Sequence, residues 1–103
     1  MTTPPSPIGN DSASRRGFCI FIDTFFQGPS LAVRDGDGFP FVFPTETEAQ
    51  REIVDALMIR LRQFVEGTRD FEDAITVEEY VVPVQTAPDG SVTDEDGRQF
   101  FKE

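Results

Sequence analysis

Apolar and polar positions along this chain change their period three times, and each change predicts a different element. In GFCIFIDTFF, residues 17–26, the apolar run is continuous. Phe18, Ile20 and Ile22 fall on one side of an extended chain and Cys19 and Phe21 on the other, so both faces need cover and a central strand is expected. Gln27-Gly-Pro-Ser30 interrupts the run, and Leu31–Arg34 resumes it in extended form. Beyond the Asp-Gly pairs at 35–38, Phe39, Phe41 and Phe43 alternate with Pro40, Val42 and Pro44. A period of two predicts a strand with one face on the core, and the prolines, which donate no ladder hydrogen bond, place it at an edge or make it short. Two extended segments around Asp-Gly predict a hairpin.

The period then becomes helical. In TETEAQREIVDALMIRLRQFVEG, residues 45–67, Ala49, Ile53, Leu57, Leu61 and Phe64 form a stripe widened by Val54, Met58 and Val65, opposite Glu48, Arg51, Glu52, Asp55, Arg62 and Glu66. Thr45 and Glu48 have the spacing of a capping box, and Gly67 is a natural stop. A connection at 68–74 uses Phe71 as an anchor. ITVEEYVVPVQT, residues 75–86, predicts a strand with Tyr80, Val82 and Val84 on one face and Val81 on the other, while Pro83 marks an edge or a bend. Turns at APDG (87–90) and DEDG (94–97) bound two short final segments. Together these predict an α+β single domain over residues 18–103, an antiparallel sheet of about four or five strands with one long amphipathic helix packed on one face.

Composition narrows what such a domain can do. Residues 1–17 are rich in Pro, Ser, Thr, Gly and Asn and are expected to be a disordered N-terminal tail. Nineteen acidic residues against nine basic ones give a net charge of −10. The excess is uneven: residues 66–103 carry eleven acids and three bases, residues 1–65 eight and six. Direct nucleic-acid binding needs clustered Lys and Arg and is disfavoured, as is an anionic membrane surface. The absence of histidine from the sequence removes Ser-His-Asp triads and imidazole zinc sites, and one cysteine removes thiolate clusters. No secretory or transmembrane pattern is present, so a cytoplasmic location is expected.

Three features invite a chemical reading. Counted as a calcium loop, Asp35 is first, Asp37 third and Glu46 twelfth, but Phe39 and Pro40 occupy the fifth and sixth positions, where a ligand and a glycine belong. A turn accounts for these residues better. Glu78 and Glu79 could form an acid–base pair, but neighbours on a strand point to opposite faces, so at most one is expected to line any pocket. Cys19, in an apolar strand, reads as a small hydrophobe. What remains is the acidic C-terminal half.

The stretches FVFPTETEAQREIVDALMIRLRQFVEG and DFEDAITVEEYVVPV resemble small uncharacterised acidic proteins of proteobacterial genomes, phages and plasmids, over roughly residues 18–97. The order of hairpin, Phe-Pro and Thr-x-x-Glu-Ala is also similar to HicB-type antitoxins. The resemblances imply a mobile-element setting. Charge and setting together lead to the expectation of a non-enzymatic protein that binds a basic protein partner through a negatively charged surface, as an inhibitor, an anti-defence factor or a DNA mimic. The alternative is an antitoxin-like module neutralising a small basic toxin. The expected contact residues are Glu72, Asp73, Glu78, Glu79, Asp94, Glu95 and Asp96. No cofactor or metal is expected, and dimerisation through an edge strand stays open.

Overall fold

The computed structural model describes residues 15–103; the expected disorder of the tail falls mainly on residues 1–14, outside the described ones. The elements in chain order are β1 (Arg15–Thr24), β2 (Gly28–Leu31), α1 (Glu46–Val65), α2 (Phe71–Ile75), β3 (Tyr80–Thr86), β4 (Val92–Thr93) and β5 (Gln99–Phe100). They form a five-stranded antiparallel sheet in the order β2-β1-β3-β4-β5 with α1 on one face, the α+β domain that the hydrophobic periods predict. Strand β1 is central at its middle, and it begins at Arg15, inside the segment expected to be tail.

Both faces of β1 are covered, for the reason its unbroken apolar run suggests. On the helix side Ile20, Phe43 and Ala49 are buried, with Phe18, Val33, Ile53 and Val81 packed around them. On the other side Cys19, Phe21, Val84 and Val92 are buried beneath Leu31, Val42, Tyr80, Val82 and Phe100. Val42 crosses so close to β1 that a Cβ at Gly17 would lie 2.2 Å from its Cγ1, which explains the glycine there. Burial holds the Cys19 thiol pushed up to about 12, so it is a protonated core side chain.

The Phe39–Phe43 segment departs from the predicted strand. Only two isolated bridges form, Arg34 with Pro40 and Phe18 with Phe43. Phe43 exchanges backbone hydrogen bonds of 2.7 and 2.9 Å with Phe18, but the bridge cannot lengthen, because Ile20 accepts from the Ala32 N–H and Phe41 donates to the Val33 carbonyl. Pro83 limits a ladder by its missing N–H. Phe18 turns its backbone groups toward Phe43, so its partner Pro83 faces away from β1, and β4 pairs only with Gln85 and Thr86.

DGDG and DEDG prove to be the same turn built twice. Asp35 Oδ1 accepts from the N–H groups of Asp37 and Phe39, and Asp94 Oδ1 from those of Asp96 and Arg98. Gly38 and Gly97 close the two turns at φ of 90° and 87°. The Asp35 carboxylate is therefore committed to shaping the turn.

Helix α1 starts as its sequence predicts, with Thr45 Oγ1 accepting from the Glu48 N–H at 3.1 Å. The Glu48 carboxylate accepts from the Thr45 hydroxyl at 3.3 Å rather than reaching the cap's backbone N–H. It ends in a glycine cap: Gly67 has φ 86°, and the Thr68 N–H donates to the Gln63 carbonyl. Its sheet-facing stripe is narrower than expected. Ala49 is fully buried and Ile53, Ala56 and Leu57 are half-buried, whereas Val54, Met58, Leu61, Phe64 and Val65 are exposed. Toward the C-terminus of α1 the inward positions are polar: Arg60 pairs with Glu79 just before β3, and Gln63 accepts from Arg69 just before α2. Phe71 opens α2 and anchors only partly: its ring meets Phe64 edge-on at 5.3 Å yet stays exposed.

Candidate functional site

The end of the sheet where β1 finishes carries the most distinctive surface. Strand β3 starts at Tyr80, opposite Phe21, so the last three residues of β1 pair with β2 alone. The β1–β2 hairpin thus projects past the sheet as a two-stranded ribbon. Its turn is fixed by Thr24, whose hydroxyl donates to the Gly28 carbonyl at 2.8 Å and accepts from the Gln27 N–H at 3.1 Å. At the tip stand Phe25 and Phe26, 97% and 95% exposed, touching each other at a centroid distance of 5.5 Å. Leaving two phenylalanines in water forgoes on the order of 1.5–3 kcal/mol each relative to burial, which makes the pair a candidate contact surface.

Carboxylates border the root of the ribbon. Asp23 accepts a 2.6 Å hydrogen bond from the Tyr80 hydroxyl, which ties the ribbon to β3 and, with burial and the negative charge, pushes the phenol up to about 12. On the helix side, a depression of about 140 Å³ is lined by Ile22, Arg60, Asp73, Thr76, Glu78 and Glu79. Arg60 meets the Glu79 carboxylate at 3.6 Å and donates to the Thr76 carbonyl at 3.1 Å. Asp73 pairs with Arg69, one turn earlier. Glu72 and Glu78 are exposed and have no ion-pair partner among the described residues.

Two expectations are corrected here. Glu78 and Glu79 do line one depression together, because both precede β3 and escape the alternation of a strand. They nevertheless differ in environment, one solvated and the other held by Arg60. The seven acids expected to form a contact face also fall into two groups. Asp73, Glu78 and Glu79 gather near the ribbon, with Glu72 preceding Asp73 on α2, whereas Asp94, Glu95 and Asp96 belong to the β4–β5 turn. Asp94 shapes that turn and its side chain is 7% exposed, and Arg98 pairs with both Asp94 and Asp96. Asp94 and Glu95 border a separate cleft of about 590 Å³ near the start of β1, along with Arg16, Phe18, Pro44 and Pro83. The division follows the pairing, since β4 joins only the far end of β3, although Asp94 and Arg98 come close enough to Tyr80 to act on its phenol.

Sequence reading missed Phe25 and Phe26 by absorbing them into the strand. A signal was present, because two adjacent aromatics cannot both face one side of a strand, and these two directly precede Gln-Gly-Pro. Comparison with family models, curated proteins and solved structures gives no match to this chain. No helix among the described residues is long and apolar enough to cross a membrane.

Proposed function

We propose that this protein is a binding module that recognises a basic protein surface with the end of its β1–β2 ribbon. The observation that carries the reading is the nearly complete exposure of Phe25 and Phe26 on a hairpin held rigidly at its root by Thr24 and by the Asp23–Tyr80 hydrogen bond. Aromatic side chains with two rotatable bonds make effective anchors, since they bury much area for little lost entropy. Around them Asp23, Glu72, Glu78 and Glu79 supply negative potential, which steers a basic partner and orients it before the rings seat. The net charge of −10 extends that field to the whole chain.

In this reading the protein acts by occlusion: the aromatic pair fills a pocket and the carboxylates lie where a basic groove would otherwise hold its own anionic ligand. The partner is thus the basic protein expected from the sequence, and the setting that of an inhibitor. The test is affinity capture from host lysate at low and high salt, with the wild type and with Glu78→Lys/Glu79→Lys. A basic protein retained at low salt, released at high salt and lost with the charge-reversed variant supports the reading. Capture indifferent to both salt and charge reversal would remove the acidic border from it.

A further inference from the structure

We propose that α1 is also a self-association surface, on which a second copy of this chain packs antiparallel. This goes beyond the partner-binding reading and does not use the ribbon. Beside its sheet-facing stripe the helix carries a second apolar stripe, about a third of a turn away by helical geometry, made by Val54, Met58, Leu61 and Val65. Their spacings of four, three and four residues are those of a coiled-coil seam. Val54, Met58 and Val65 are 49%, 54% and 80% exposed. Leu57 and Phe64 flank the seam on the side toward the sheet, and Phe64 continues it to Phe71.

Charge complementarity selects the occupant. An antiparallel pair with its two-fold axis between Met58 and Leu61 sets Val54 opposite Val65 of the second copy and Met58 opposite Leu61 of the second copy. In that register the outer flank brings Asp55 against Arg62 of the second copy, and Arg62 against its Asp55. Both pairs are opposite in sign, and neither residue is engaged by an ion pair within the described residues. The inner flank places Leu57 against Phe64 of the second copy. A parallel pairing would set Asp55 beside Gln50 of the second copy and Arg62 beside its Leu57, which leaves both charges without an opposite partner across the seam. The register that buries the seam is therefore also the one that satisfies its charges.

The test is sedimentation equilibrium of the full chain from about 1 µM to about 1 mM, the range in which such interfaces dissociate. The mass is expected to rise to twice 11.5 kDa. Met58→Glu, at the exposed centre of the seam, is expected to raise the dissociation constant about 100-fold. Asp55→Arg alone is expected to weaken the dimer about 10-fold, and Asp55→Arg with Arg62→Asp to restore it. A mass of 11.5 kDa throughout, or a dimer indifferent to Met58→Glu, overturns the proposal. So does a double charge swap that fails to rescue the single one. Phe25→Ala/Phe26→Ala leaves the mass unchanged on this account, and the dimer persists at salt that releases a basic partner, so failure of one reading is distinguishable from failure of the other.

Discussion

Phe21 and the Phe25–Phe26 pair lie four and five residues apart on one hairpin and meet opposite fates. Phe21 is 1% exposed, edge-on to Phe100 at 4.9 Å and near Tyr80 at 6.3 Å, with Leu31 on β2 and Tyr80 on β3 as its ladder partners. Past it, β3 has not yet begun and β5 does not reach, so among the described residues Phe25 and Phe26 have only each other. The side chain is the same; what differs is how many strands stand beside it. Hydrophobicity at one end of β1 is spent on stability, and at the other it stays in water, where the proposed reading assigns it to a partner.

Substitutions sharpen that contrast. The largest effect is expected for Phe21→Ala, which removes a fully buried ring and costs about 3–5 kcal/mol in urea denaturation, a large share of the stability of a domain this size. Phe25→Ala/Phe26→Ala is expected to change stability by no more than about 0.5 kcal/mol while abolishing capture of the partner; a loss of several kcal/mol would mean that the tip belongs to the fold. Thr45→Ala is expected to cost about 1 kcal/mol through loss of the helix cap, read in the same assay.

A smaller effect is expected from pH. The folded state raises Cys19 from 9.0 and Tyr80 from 10.0, each to about 12, so folding favours the protonated forms. Their contribution is fully present below pH 9 and is lost as pH rises toward 12, because the unfolded chain then releases protons that the folded chain retains. Denaturation midpoints are expected to fall through this window, and Tyr80→Phe to flatten part of the fall; an unchanged profile would mean that the Asp23 hydrogen bond is not maintained in solution.

Much of the fold was legible because its signals are local. The unbroken apolar run of β1, the Thr45 cap and the Gly67 stop each depend on neighbours in sequence, and the structure keeps all three. The Phe39–Phe43 segment misled because alternation alone does not make a strand: Phe41 bonds to Val33 and Phe43 to Phe18, so its partners lie on two different segments and no continuous ladder forms. Glu78 and Glu79 misled because the strand begins at Tyr80, five residues after Ile75, where the β-branched run starts. The surface was harder to read. Which of α1's apolar positions face the sheet depends on the sheet's extent, and the exposure of Phe25 and Phe26 depends on where β3 starts, more than 50 positions away in sequence. The acidic bias was visible in composition, but its division into two groups follows from the short pairing of β3 with β4.

The most direct test replaces Phe26 with a benzoylphenylalanine photocrosslinker, with Gln50 on α1 as the control position, and irradiates each variant in host lysate at low salt. The account predicts a basic protein crosslinked through position 26, absent from the position-50 sample and lost when Glu78→Lys/Glu79→Lys is added. No adduct at position 26, or one that survives reversal of both charges, would contradict recognition of a basic surface by an aromatic tip within an acidic border.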